Sequence, residues 1–313
     1  MSQFSIAVSN GALHSLHFLD LHSNLIGDAG LTAFATAVTN GALPSLKSLY
    51  LGYNTIGDAG LTALATAAGN GALPLLTQLD LGTTRQIGDD GVIALAKAID
   101  PKEGSGALPL LTKLWLYGNR IGDAGCTALA TALDKGALES LTLLELRRNQ
   151  IGPAGMSAFA SACASGALPS LAVLGLDNNQ IGDDGLSAFA TAVGNGALPL
   201  LNKLSLSRNQ IGNAGVAALA EEIDPKEGKG ALARLEILIF NGNYIGPTGM
   251  SAFAIACVSG ALPSLKSLYL SFNQIGDDGM TAVAAAVRKG ALAFLQKLVV
   301  HPYPTAELTA ACS

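Results

Sequence analysis

The sequence predicts an α/β protein of stacked repeats, with a parallel sheet on one side and a row of helices on the other. Three observations carry that prediction. The tripeptide Gly-Ala-Leu begins at Gly11, Gly41, Gly71, Gly106 and Gly136, and again at Gly166, Gly196, Gly230, Gly260 and Gly290, mostly thirty residues apart. A length of 313 residues would by itself suggest about two domains, but a repeat running from end to end overrides that and predicts one. Within each unit a short alternation of apolar and variable residues is followed by a stripe spaced at three and four residues.

The second unit, GALPSLKSLYLGYNTIGDAGLTALATAAGN, justifies the elements in order. Leu49 and Leu51 alternate with Tyr50, the period of a strand with one buried face. Leu61, Leu64, Ala65 and Ala68 form a helix stripe. Asp58 precedes that stripe and is expected to cap its helix, while Asn70-Gly71 suits the left-handed turn that ends it. Asn54 and its counterparts recur at the turn leaving each strand, where a side-chain amide satisfies backbone groups of its own and neighbouring turns. In the third unit Thr84 takes that place and one extra residue precedes Ile87, so a local bulge is expected. A single unit cannot bury both its strand leucines and its helix stripe, whereas stacked copies can.

The boundaries follow. Residues 1–10 align without gaps on 31–40, so they are expected to form a half-repeat or cap; nine full repeats occupy 11–289, and 290–313 hold a final strand and the C-terminal end, where Pro302 and Pro304 should close the sheet. The inserts DPKEGS (100–105) and DPKEGK (224–229) are expected to be loops at helix ends.

Half of the residues are apolar and 13% are charged, but the apolar residues do not run on as a membrane span requires. The first ten residues have neither a basic region nor an extended apolar core and do not read as a signal peptide. A net charge of -5, with Arg147-Arg148 and Arg288-Lys289 as the adjacent basic pairs, speaks against nucleic acid. Cys126, Cys163 and Cys257 replace Leu or Val of other repeats and read as reduced core residues. With no Asn-x-Ser/Thr sequon either, an intracellular, cytoplasmic location is expected.

Leu-x-x-Leu-x-Leu followed by Asn, then an Ile-Gly-x-x-Gly turn and a helix, resembles the leucine-rich repeat, in particular the long ribonuclease-inhibitor subtype also found in NOD-like receptors and Ran GTPase-activating proteins. The resemblance covers about Gly11 to Val300. It implies a horseshoe solenoid with strands on the concave side and helices on the convex side, and a function in recognising another macromolecule. The thirty-residue units are slightly longer than usual, and the two inserts also depart from the pattern.

No chemistry assembles. The recurrent GDAG and GDDG lack a following Gly-Lys-Ser/Thr and read as turns; the paired aspartates match no calcium loop; His14, His17 and His22 crowd the first repeat without a ligand pattern; no serine or cysteine has a base partner. No catalytic residue, cofactor or metal is therefore expected, and the chain does not read as an enzyme.

Variation is concentrated between and just after the strand leucines, on the prospective concave face. Tyr50, Tyr53, Trp115 and Tyr117 supply aromatic anchors there, followed by Glu145, Arg147, Arg148 and Arg208. Tyr269 and Phe272 form a second, smaller patch. Aromatics and arginines are typical interface anchors. The expectation is a noncatalytic scaffold that binds a protein of unknown identity on this face, alone or within a larger complex or longer chain, without nucleic acid or membrane insertion. The alternative is a regulator, an activating protein, of a small GTPase.

Overall fold

The computed structural model describes residues 13–102, 104–227 and 230–301, so the expectations for residues 1–10, Pro302 and Pro304 lie outside the described residues. Ten strands follow one another: Phe18–Asp20 (β1), Ser48–Tyr50 (β2), Gln78–Asp80 (β3), Lys113–Trp115 (β4) and Leu143–Glu145 (β5), then Val173–Gly175 (β6), Lys203–Ser205 (β7), Ile237–Ile239 (β8), Ser267–Tyr269 (β9) and Lys297–Val299 (β10). They form one parallel sheet in sequence order. The connecting helices are Asp28–Thr39 (α1), Asp58–Gly69 (α2), Asp89–Ile99 (α3), Asp123–Asp134 (α4) and Pro153–Ala164 (α5), then Gly182–Gly194 (α6), Asn213–Ile223 (α7), Pro247–Val258 (α8) and Gly276–Arg288 (α9). The sheet lines the concave side of a solenoid of strand–helix repeats and the helices its convex side.

The register repeats without slip, Leu19 against Leu49, Leu49 against Leu79, and so on to Leu268 against Leu298. These leucines point between the sheet and the helices, where Leu49, Leu114 and Leu144 are fully buried beside the helix-stripe residues Phe34 and Leu61. Each such side chain contributes roughly 1.5–3 kcal/mol by leaving water. Cys126, Cys163 and Cys257 are free thiols in this core, and burial pushes each of their pKa values up to about 12.

The asparagine ladder has the expected role. Asn54 Nδ2 donates to the carbonyls of Leu51 in its own repeat and Leu21 in the preceding one, both at 2.8 Å, and its Oδ1 accepts from the amides of Asn24 and Ile26. Thr84 keeps one rung by donating from Oγ1 to Asn119 Oδ1, and the extra residue is taken up at Arg85, which adopts φ 61°. Gly71 ends its helix at φ 86°.

Asp58 does not cap its own helix as expected. The N-cap of α2 is Gly57, with no side-chain cap, and Asp58 lies inside the first turn. Its Oδ1 instead accepts the amides of Gly88 at 2.7 Å and Gly91 at 3.0 Å in the following repeat. Asp28, Asp89 and Asp123 make the same pair of bonds one repeat onward. The first amides of a helix have no intrahelical acceptor and sit at the positive end of its dipole, so a carboxylate from the neighbour is well placed there. A Cβ on Gly91 would lie 2.7 Å from that oxygen, which explains the second glycine of the motif.

Two joints lack this clamp because Pro153 and Pro247 replace the aspartate. The freed Gly182 turns to φ 63°, donates instead to the Asn209 carbonyl at 2.9 Å, and α6 begins one residue earlier than its counterparts. Gly276 turns in the same way. The rearrangement takes the Ile181 amide away from the ladder, and the buried Asn209 Oδ1 is left without a hydrogen bond.

Candidate partner-binding surface

On the concave side the residues flanking each central leucine form continuous rows, so that Tyr50 stands between Asp20 and Asp80, and Trp115 between Asp80 and Glu145. The residue just before each ladder position adopts left-handed backbone. In two repeats it is glycine (Gly118, φ 67°; Gly242, φ 70°) and in one asparagine (Asn178, φ 54°), the residues that tolerate this region best. In the first and third repeats it is Ser23 (φ 58°) and Thr83 (φ 56°), and in the remaining four Tyr53 (φ 56°), Arg148 (φ 55°), Arg208 (φ 53°) and Phe272 (φ 60°). Left-handed backbone costs such side chains about 1–2 kcal/mol each, and four bulky ones are kept there.

These side chains rim a cavity of about 520 Å³ that takes at least one lining residue from every repeat from the second, at Tyr53, to the ninth, at Phe272. Its charged members are Arg147, Arg148, Arg208 and Asp177. Arg147 stacks on the Tyr117 ring, 4.7 Å from its centroid, and its Nε lies 3.7 Å from Glu145 Oε2. Asp177 Oδ1 accepts from Ser205 Oγ and from the Ser207 amide at 2.8 Å. The Tyr117 ring lies over Gly82, where any Cβ would collide with it, and burial of its hydroxyl pushes the pKa up to about 12.

A second cluster occupies the N-terminal repeats. Phe18, Tyr50 and Trp115 make successive edge-to-face contacts, with centroids 5.1 Å and 5.9 Å apart. Beside them His22 Nδ1 meets Asp20 Oδ1 at 2.7 Å, and its Nε2 reaches across the second repeat, over Gly52, to Asp80 Oδ2 at 3.0 Å. Burial alone would lower the His22 pKa, but the hydrogen bonds and charges of the two aspartates prevail and raise it. The Asp20 carboxyl is held low, first by the His22 amide and then by the His22 ring. Burial raises the Glu145 pKa, Arg147 offsetting only part of it, and Glu145 Oε2 has no hydrogen-bond partner.

Of the ten residues singled out in the sequence, Tyr53, Tyr117, Arg147, Arg148, Arg208 and Phe272 line the one cavity. Phe272 thus joins the central group rather than a separate patch, while Tyr269 lies apart with Lys297 Nζ 5.1 Å from its ring centroid. Tyr50 and Trp115 are half-buried against each other rather than openly exposed, and Glu145 is half-buried over Gly175. The sequence reading missed Phe18, Gln78 (which accepts from the Tyr50 hydroxyl at 2.6 Å) and Asn178. Extending the strand alternation back by one residue would have found the first two.

The convex side differs in composition. Thr32, Thr62, Thr127 and Ser157 are exposed on it, and a shallower hollow between α8 and α9 is bordered by Ile255 and Val258. Among the described residues no trio of His, Cys, Asp or Glu is placed to hold a metal ion, and no helix is long and apolar enough to cross a membrane. No curated protein matches the chain. A family model described as Leucine Rich repeat matches residues 12–35, 42–65, 72–96, 107–130, 137–160, 167–190, 197–220 and 261–284. The eighth unit, outside those matches, contributes β8 and α8 in the same register. With repeat, sheet and motif in agreement, the chain belongs to the leucine-rich-repeat family.

Proposed function

We propose that the protein is a noncatalytic scaffold that binds a protein partner along its concave face. Leucine-rich repeats generally mediate protein–protein interaction, and the observation that carries the finer reading is the row of Tyr53, Arg148, Arg208 and Phe272 in left-handed backbone around one cavity. Strain at a site the fold could relieve with glycine or asparagine points to a use for the side chain. The neighbouring Tyr50, Trp115, Tyr117 and Arg147 add the residue types that carry most interface energy.

The test is affinity capture followed by quantitative binding of the recovered partner to variants of both faces. Trp115→Ala and Arg147→Ala should each weaken binding by about 1–4 kcal/mol without altering the fold, and Thr127→Lys should leave it unchanged. Loss with Thr127→Lys and none with the concave variants would move the docking site to the helices. A captured small GTPase would call for GTP-hydrolysis assays with and without this protein, which test the alternative regulatory role.

A further inference from the structure

We infer that the concave cavity receives an extended, acidic segment of the partner protein, with its carboxylates set on Arg148 and Arg208. This rests on the scaffold reading above and narrows it to a chemistry. The whole chain carries -5, yet three arginines and one aspartate line the cavity, a local reversal of sign. Arg147 shares its charge with Glu145 and the Tyr117 ring. Among the described residues Arg148 and Arg208 have no ion-pair partner on the protein, so their guanidinium groups are available to an incoming acid. Asp177, the opposing charge between them, already takes hydrogen bonds from Ser205 and Ser207.

Placement is as informative as charge. The Arg148 amide donates to the Asp177 carbonyl at 2.7 Å and the Arg208 amide to the Asn241 carbonyl at 2.8 Å, so both left-handed turns are pinned to the next repeat. Arg148 and Arg208 stand two repeats apart, about 10 Å at the usual strand spacing, too far for one carboxylate to bridge from backbone-anchored positions and suited to two acids on one chain. The lining spans eight repeats, seven strand steps or on the order of 30 Å, the length of about ten extended residues. Such a shape fits a peptide better than a small anion. Tyr53 and Tyr117 toward one end and Phe272 toward the other offer apolar rests for flanking side chains. Arginine's planar fork matches a carboxylate with two parallel hydrogen bonds.

The experiment uses fluorescein-labelled twelve-residue peptides of one scaffold, alternating Leu or Val with Glu, Gln, Lys or phosphoserine, titrated by fluorescence anisotropy against the full chain. The Glu peptide should bind, weaken as salt rises, and lose roughly tenfold or more with Arg148→Gln/Arg208→Gln. The Gln and Lys peptides should bind at least tenfold more weakly than the Glu peptide to the parent. Equal binding of the Gln or Lys peptide, or an unchanged Glu affinity in the double variant, would overturn the inference. Binding of the phosphoserine peptide alone would overturn the carboxylate assignment in favour of a phosphorylated partner. Circular dichroism melts establish that the variant is folded. If a captured partner is lost with Trp115→Ala but unaffected by the arginine double variant, the acidic segment falls and the concave scaffold stands; if neither variant weakens it, both fall.

Discussion

The convex and concave faces are made by the same repeat and differ in what the repeat allows to vary. On the convex side Thr36, Thr66 and Thr131 hydroxyls donate to carbonyls one helical turn back, at Thr32, Thr62 and Thr127, so their polar groups are satisfied within the helix. On the concave side one backbone position passes from glycine through asparagine, serine and threonine to tyrosine, phenylalanine and arginine while its φ stays between 53° and 70°. Shape is therefore held constant on both sides, and chemical identity diverges on one. The difference teaches that the concave side chains are not dictated by the framework, which would be served as well by Gly or Asn.

The comparison breaks first if the interior is misassigned. Leu144→Ala, fully buried behind β5, should cost about 2–5 kcal/mol in chemical denaturation, a loss shared by both faces. Next, Asp58→Ala leaves the Gly88 and Gly91 amides without their carboxylate and should cost about 1–3 kcal/mol; an unchanged stability would mean that the clamp does not hold the joint. Smaller still, Arg148→Asn should leave stability unchanged or raise it by up to about 1 kcal/mol, because Asn tolerates left-handed backbone. A clear destabilisation would show that the arginine serves the fold.

The His22 contacts sharpen the contrast at the N-terminal end through pH. Because the His22 pKa is raised, its contribution is full below the unfolded value of about 6.5 and is lost as pH rises through the folded value. Asp20 is lowered, so its contribution is present above its ordinary range and is lost as pH falls through the folded value. Hydrogen exchange should accordingly report looser first and third repeats as pH rises above about 6.5, and His22→Gln should flatten that response. At the bottom of the scale Thr127→Lys should change stability by no more than about 0.5 kcal/mol.

What was legible in the sequence is what repeats. Leu49 and Leu51 around Tyr50 announced a strand, Asn54 announced a ladder, and Gly71 a helix end, because each acts within its own unit or in every unit alike. The direction of the Asp58 bond was not legible: spacing placed the carboxylate at a helix start, and only stacking brought the next repeat's amides nearer than those of its own helix. The His22–Asp80 contact was hidden because it joins residues 58 apart across an intervening repeat whose Gly52 leaves the space. The left-handed row was hidden because Tyr, Phe and Arg argue against that conformation when each is read alone. Likewise Phe272 and Tyr53 are far apart in sequence and come to one cavity only through the stacking of the repeats between them.

The central claim is that the left-handed concave row is kept for recognition. Its most direct test is isothermal titration of the captured partner against Arg148→Asn/Arg208→Asn and Thr127→Lys/Ser157→Lys, with thermal melts of both. The concave double variant should melt at or above the parent and bind roughly tenfold or more weakly, while the convex double variant binds as the parent does. A concave variant that keeps full affinity, beside a convex one that loses it, would contradict the account.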